Sequence, residues 1–122
     1  MQDFKKLKVW QKSHDLTIAV YQRTRAFPKE ELYGLASQMR RAAVSIGANI
    51  SEGCGRETAN EYLHFLQIAK GSASELENYF LLCRAIGFLS DEETEHLQSL
   101  LTEIQKMLFT MLKTLRNNTS NH

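Results

Sequence analysis

The hydrophobic residues along this chain recur at intervals of three and four, and no segment shows the two-residue alternation of a half-buried strand. Short stretches that contain the single proline, Pro28, or the glycines at positions 53, 55 and 87 separate four such segments. The pattern therefore predicts an all-α chain with helices at about residues 6–26, 30–54, 59–86 and 91–116.

The predicted helices are long and their connections are short. Thr58 with Glu61, and Ser90 with Glu93, have the spacing of capping boxes, which mark the starts of the third and fourth helices. Connections of a few residues force neighbouring helices to pack antiparallel, which predicts an up-down-up-down four-helix bundle. We expect one domain over residues 1–116 and a flexible polar tail at residues 117–122.

The second predicted helix has an unusual outer face. Its core stripe consists of Leu32, Leu35, Met39, Ala43, Ile46 and Ile50. The rest of its surface has few charges and little bulk, with Arg41, Val44, Ser45, Gly47, Ala48, Ser51 and Glu52. Because helices that are apolar or small all round are usually buried all round, these residues predict a contact with a second copy of the chain. The alternative is an ordinary surface that is rich in the helix-forming residue alanine.

Charge is unevenly distributed along a chain whose net charge is only +1. Residues 1–30 carry seven Lys and Arg against three Asp and Glu, whereas residues 91–122 carry three against five. The candidates for nucleic-acid binding are Lys5, Lys6, Lys8, Lys12, Arg40 and Arg56. Symmetry in an oligomer would multiply such a patch into a ring of positive charge. The alternatives are a solvated helix face for the lysines and pairing between subunits for Arg40 and Arg41.

Three stretches carry a resemblance to a known family. They are LKVWQKSHDL near the start, FPKEELYGLASQMRRAAVSIGANISEGCGR in the middle, and FLQIAKGSASELE in the third helix. Together they resemble the four-helix-bundle proteins of the ribosomal RNA intervening-sequence family. The resemblance implies a ring-like homopentamer and a distant similarity to the accessory variability determinant of diversity-generating retroelements. It implies no established biochemical activity.

Catalytic and metal-binding patterns are weak. Glu61 with His64, and Glu93 with His96, match the Glu-x-x-His element of di-iron bundles, but both glutamates are already assigned to capping boxes at helix starts. The two cysteines, Cys54 and Cys83, match no metal or redox spacing and are predicted to be packing residues. We therefore expect no enzyme activity, no metal and no cofactor.

The sequence leaves three hypotheses about function. The first is a non-enzymatic homo-oligomer that binds RNA or DNA through its basic first helix and the loop at Arg56. The alternative is a scaffold that holds a partner protein without contacting nucleic acid, and the third hypothesis is a metal-dependent enzyme. With no signal-like N-terminus and no apolar stretch of about 18 residues, the chain is expected to be cytoplasmic and to have no membrane partner.

Overall fold

The computed structural model describes residues 2–120, and the side chains of residues 2–118. The described residues contain helices and turns but no strand, which confirms the all-α prediction. Two short 3-10 helices precede the first and second long helices. In chain order the elements are a 3-10 helix at Phe4–Lys6, α1 at Lys8–Thr24, a 3-10 helix at Lys29–Glu31, α2 at Leu35–Cys54, α3 at Ala59–Ala85 and α4 at Asp91–Ser120.

The four long helices form a bundle in which each packs against its neighbours in sequence, and α1 also packs against α4. Hydrogen-bonded ion pairs join α1 to α4 near both ends, since Lys12 Nζ lies 2.6 Å from Glu103 Oε2 and an Arg23 nitrogen lies 3.3 Å from Glu93 Oε2. As the position in α1 increases, the position of its partner in α4 decreases, so the two helices are antiparallel. The predicted four-helix bundle is therefore confirmed.

The bundle core is mainly aliphatic, and its aromatic side chains include Phe27 and Phe80. Its largest fully buried residues are Leu16, Met39, Ile46, Ile50, Leu66, Leu76, Phe80, Leu97, Leu101, Ile104, Leu108 and Leu112. Three polar residues, Ser13, Thr24 and Thr94, are also buried. The hydroxyl of each donates to the carbonyl four residues earlier, at 2.7–2.8 Å, so none remains unsatisfied.

The start of α2 differs from the prediction, which placed it at residue 30. Lys29–Glu31 form a separate 3-10 helix, and α2 begins at Leu35. Gly34 interrupts the helix because its backbone, with φ −105° and ψ −106°, lies outside the helical region. The hydrophobic spacing of Leu32 continues into α2 although the backbone does not, which explains why periodicity alone missed the break.

The ends of α3 and α4 follow local capping rules. The Ser90 capping box is complete, since the Ser90 amide donates to Glu93 Oε1 at 2.9 Å and the Glu93 amide donates to Ser90 Oγ at 3.0 Å. The Thr58 box is half formed, with only the donation from the Glu61 amide to Thr58 Oγ1. Beyond α3, Gly87 takes φ +85°, the left-handed conformation that turns the chain toward α4.

Helix α4 is longer than predicted. It continues to Ser120 instead of ending near residue 116. The first four residues of the predicted tail, 117–120, therefore have helical backbone, while residues 121–122 lie outside the described part of the chain. The polar composition of the tail favoured a loop, but helical backbone bonds do not require apolar side chains.

Candidate nucleic-acid interface

Antiparallel packing brings the start of α1 beside the second half of α4. Charge is separated along α4, because its acidic residues all lie in residues 91–103 and its basic residues all lie in residues 106–116. The segment of residues 4–14 likewise contains lysines and no acidic residue. The fold therefore places two basic segments without carboxylates at one end of the α1 and α4 pair, which we call the basic end.

The lysines of the first turns differ in their partners. Lys5, Lys6 and Lys8 are exposed, and in the described part of the chain no carboxylate pairs with their ammonium groups. Lys12 lies one turn further along α1 and pairs with Glu103. The Lys12 ammonium lowers the pKa of the Glu103 carboxyl through its hydrogen bond and its charge. Lys12 is therefore engaged within the chain, whereas the other three remain available.

Arg40 has a structural role that its sequence position did not reveal. Its Nε donates to Thr24 Oγ1 at 2.8 Å, and its guanidinium lies 4.8 Å from the centre of the Tyr21 ring. These contacts join α2 to the end of α1, at the opposite end of the bundle from Lys5. Arg40 therefore lies apart from the basic end and has partners within the chain, while its assignment to a nucleic-acid or intersubunit contact stays a prediction.

Arg56 lies at the same end as Lys5 but is already engaged. It forms an ion pair with Glu52 one turn earlier, and its guanidinium lies 4.7 Å from the centre of the Phe65 ring. The pair joins one nucleic-acid candidate to one interface candidate within a single chain. Because Glu52 offsets its charge, Arg56 adds less to the basic end than an unpaired arginine would.

Sequence reasoning missed Lys106, Lys113 and Arg116 as part of the basic end. Residues 91–122 as a whole are net acidic, and that average hides the separation of charge within α4. Lys8 and Lys106 line the same surface groove, so the structure places α4 lysines next to those of α1. Charge counted over each half of a predicted helix would have found them.

An apolar groove of about 620 Å³ opens at the basic end, between the start of α1 and the second half of α4. Leu7 and Val9 contribute from α1 and its approach, and Met107, Met111 and Leu115 contribute from α4. We call it the α1/α4 groove. Tyr62 of α3 also lines the groove, and its hydroxyl donates to Gln2 Oε1 at 3.1 Å.

The outer face of α2 remains largely uncovered. Val44 is 45% exposed, and Arg41, Ala48 and Glu52 are also exposed. Ser51 is half-buried and its hydroxyl donates to the carbonyl of Ala48 in its own helix at 2.9 Å. This face is therefore available to a partner, and the predicted interface stays a prediction.

Two residues of the predicted α2 interface are used inside the chain. A methyl group at Gly47 would lie 3.6 Å from Trp10 Nε1 and 3.7 Å from Ser13 Cβ, so this glycine lies against α1. Ser45 Oγ is hydrogen-bonded to Ser72 Oγ of α3 at 2.8 Å. Both distances are ordinary van der Waals contacts, so α1 leaves room for a methyl group at this position, and the assignment of Gly47 to an intersubunit contact stays a prediction.

Helix α3 carries a second exposed apolar face that the sequence prediction left out. Ile68 is 39% exposed, Leu82 is 43% exposed and Ile86 is 50% exposed. With Gly71 they share one side of the helix, because their spacing follows the helical repeat. A methyl group at Gly71 would meet no other atom within 4 Å, so nothing in the single chain requires this glycine.

Comparison with known proteins identifies the family. The model of the 23S rRNA-intervening sequence protein family matches residues 5–110, which include α1 to α3 and most of α4. The chain belongs to this family. The family membership predicted from the three sequence stretches is thus confirmed, and the matched residues include all six predicted nucleic-acid candidates.

A solved relative has the same fold. The crystal structure at 1.70 Å of a protein of unknown function from the S23 ribosomal protein family of Bacteroides thetaiotaomicron VPI-5482 superposes with a TM-score of 0.79. The two sequences are 26% identical, and the alignment covers 86% of this chain and 98% of that one. No curated protein matches this sequence significantly.

The two Glu-x-x-His elements of this intervening-sequence protein lie far apart. Glu61 and His64 lie at the start of α3, and Glu93 and His96 lie at the start of α4, at the opposite end of the bundle. The two Glu-x-x-His elements therefore cannot share one site. Among the described residues, no three His, Cys, Asp or Glu side chains form a group that could hold a metal ion.

Both cysteines are buried, as predicted. Cys83 Sγ contacts Met39 Sδ at 3.4 Å, and burial raises the pKa of the Cys83 thiol to about 11. Cys54 Sγ lies 3.6 Å from the Tyr62 hydroxyl, and burial raises the pKa of that phenol as well. In this family member the thiols are packing groups.

None of the helices in residues 2–120 is long and apolar enough to cross a membrane.

Proposed function

We propose that this chain is a non-enzymatic, homo-oligomeric nucleic-acid-binding protein that contacts the phosphates of RNA or DNA through its basic end. One observation carries the proposal: antiparallel packing of α1 and α4 joins two basic segments that contain no carboxylate. The available cations include Lys5, Lys6 and Lys8, which are exposed and unpaired in the described chain. Contacts between lysine side chains and phosphates supply most of the sequence-independent affinity for nucleic acid.

Oligomer formation is the second part of the proposal. The exposed apolar residues on the outer faces of α2 and α3 include Val44, Ile68 and Leu82, and the Ser45–Ser72 hydrogen bond joins the two helices. Contiguous apolar surface marks association sites in soluble proteins, and the proposal is that these residues contribute to one such surface. A ring of copies, five if the chain follows the assembly implied by the family resemblance, would repeat the basic end around its axis. Repetition converts a modest patch into a strong positive potential.

The test of phosphate binding is a salt series. Fluorescence anisotropy with a labelled oligonucleotide is expected to show log Kd rising with log salt concentration, with a slope of about 0.7 per contacted phosphate for a single strand. The variant with Lys5→Glu and Lys6→Glu is expected to lose most of the affinity. The matched control reverses Arg25 and Lys29, which are also exposed but lie at the other end of the bundle.

The control separates local from general electrostatics, since both double variants change the net charge by the same amount. Equal losses in the two variants would show that affinity follows net charge alone and not the basic end. Binding of neither RNA nor DNA by the native protein would overturn the proposal and favour the scaffold alternative. Light scattering tests the oligomer separately, and a monomeric mass at micromolar concentration would refute that part.

A further inference from the structure

The α1/α4 groove presents apolar surface within a basic region. Met107, Met111 and Leu115 follow one another at four-residue intervals along α4, so their side chains form one wall. Leu7 and Val9 lie on the facing wall. The volume of about 620 Å³ is in the range of small-molecule sites, roughly 300–1,000 Å³. The groove is therefore large enough for a flat ring system and apolar enough to retain it.

Charge at the groove has a single sign. Lys8 and Lys106 are the charged residues among those that line it, and no carboxylate does so in the described chain. The uncharged polar groups among the lining residues are the hydroxyls of Thr110, Thr114 and Tyr62 and the amide of Gln2. Such a lining fits an occupant with an apolar, flat body, hydrogen-bonding edges and negative charge beside it. A nucleotide within a strand has all of these parts, with its base as the body and phosphates on either side.

We propose that the α1/α4 groove accepts an unpaired base, so that the basic end binds a single strand in preference to a duplex; this inference rests on the proposed function. In a duplex the faces of the bases are stacked on one another, so only phosphates, sugars and base edges reach a protein surface. A duplex would therefore leave the apolar surface of the groove without a base to contact. A single strand exposes base faces, which proteins hold against aromatic or apolar side chains beside phosphate-binding cations.

The methionines suit this occupant. Met107 and Met111 are flexible and polarizable, and thioether sulfur makes favourable contacts with aromatic rings. Both side chains are only partly buried against the core, so they can move to fit bases of different size. We therefore expect binding with little sequence preference, in which the groove recognises the face of a base and the lysines recognise the phosphates.

The deciding experiment compares three probes of the same length by fluorescence anisotropy. They are a mixed-sequence single strand, the corresponding duplex, and a strand of abasic residues that keeps every phosphate. The base-bearing strand is expected to bind about tenfold more tightly than the abasic strand. The variant Met111→Gln, which is similar in size and carries no charge, is expected to remove most of that difference and to leave duplex and abasic affinity unchanged.

The matched control is Phe109→Gln. Phe109 lies on the same helix, is 62% exposed and does not line the groove, so its substitution is expected to leave all three affinities unchanged. Circular dichroism and the unchanged duplex affinity verify that Met111→Gln is folded, and Met107→Gln serves as a second groove variant. Equal affinity for the base-bearing and abasic strands would overturn the groove inference but leave phosphate binding at the basic end intact. Absence of binding to every probe would overturn the proposed function, and the groove inference with it.

Discussion

Gly53 lies where α2 meets the start of α3, and it provides a quantitative test of the packing there. A methyl group at this position would lie 2.8 Å from Tyr62 Cδ1 and 3.2 Å from Phe65 Cβ. Both separations are shorter than carbon–carbon van der Waals contact. The Tyr62 ring is restrained because its hydroxyl contacts Cys54 and Gln2. The substitution Gly53→Ala therefore forces α2 and α3 apart or displaces the ring.

Two opposing effects decide the size of the change. Overpacking of a well-packed contact costs about 1–3 kcal/mol. Alanine in place of glycine favours the helix by up to about 1 kcal/mol, and by less here because Gly53 is one residue from the end of α2. The net expectation for Gly53→Ala is a loss of about 1–2 kcal/mol in the free energy of unfolding. For a domain of this size that lowers Tm by roughly 4–8 °C.

The assay is urea and thermal unfolding followed by circular dichroism, with all variants at the same protein concentration. Gly71→Ala is the matched control because its methyl group meets no atom of the chain within 4 Å, so only the gain in helix propensity remains. It is expected to stabilise the isolated chain by about 1 kcal/mol. Stabilisation by both substitutions would refute the argument that Gly53 is required by the contact with Tyr62.

Three further outcomes are expected. Arg40→Ala should lower the free energy of unfolding by about 1–2 kcal/mol, because it removes the hydrogen bond to Thr24 and the contact with Tyr21. Nucleic-acid affinity should not change. A weaker affinity without loss of stability would contradict this expectation. The pKa of Glu93 is lowered by the Ser90 amide and by Arg23, so its contribution is present above pH 4.5 and is lost as pH falls through the folded-state pKa. Between about pH 6 and pH 3, the free energy of unfolding should thus fall further for the native chain than for Glu93→Gln. Burial raises the pKa of Cys83 from 9.0 to about 11, so the contribution of the protonated thiol to the free energy of unfolding is present below pH 9.0 and is lost as pH rises toward 11. Iodoacetamide at pH 8 should therefore label Cys83 only in urea.

The bundle was predictable because periodicity and caps determine it locally. Met39, Ala43, Ile46 and Ile50 lie in the predicted core stripe, and all four are buried. The break at Gly34 was missed because the hydrophobic repeat continues across it. Backbone conformation at one glycine is decided by tertiary contacts and turn geometry, and a side-chain pattern does not record it.

The candidate site was less predictable, because it depends on which side chains meet across helices. The sequence showed that Arg40 is basic but not that Tyr21 and Thr24 lie beneath it. It showed that Gly47 is small but not that Trp10 lies against it. The 2.8 Å hydrogen bond between Ser72 and Ser45 is a third contact of this kind. Contacts between residues distant in sequence were the part that one sequence could not supply.

The separation of charge along α4 also affects how the molecule is oriented as it approaches a charged partner. With a net charge of +1, the chain as a whole is barely attracted to a polyanion. Helix α4 is nevertheless about 45 Å long, with carboxylates toward one end and cations toward the other, which gives its side of the bundle a large electric dipole. A dipole in the field of a polyanion experiences a torque, so the protein is expected to rotate during its approach and arrive with Lys5 and Lys6 leading. Salt would then slow productive encounters, because it screens the field that orients the molecule.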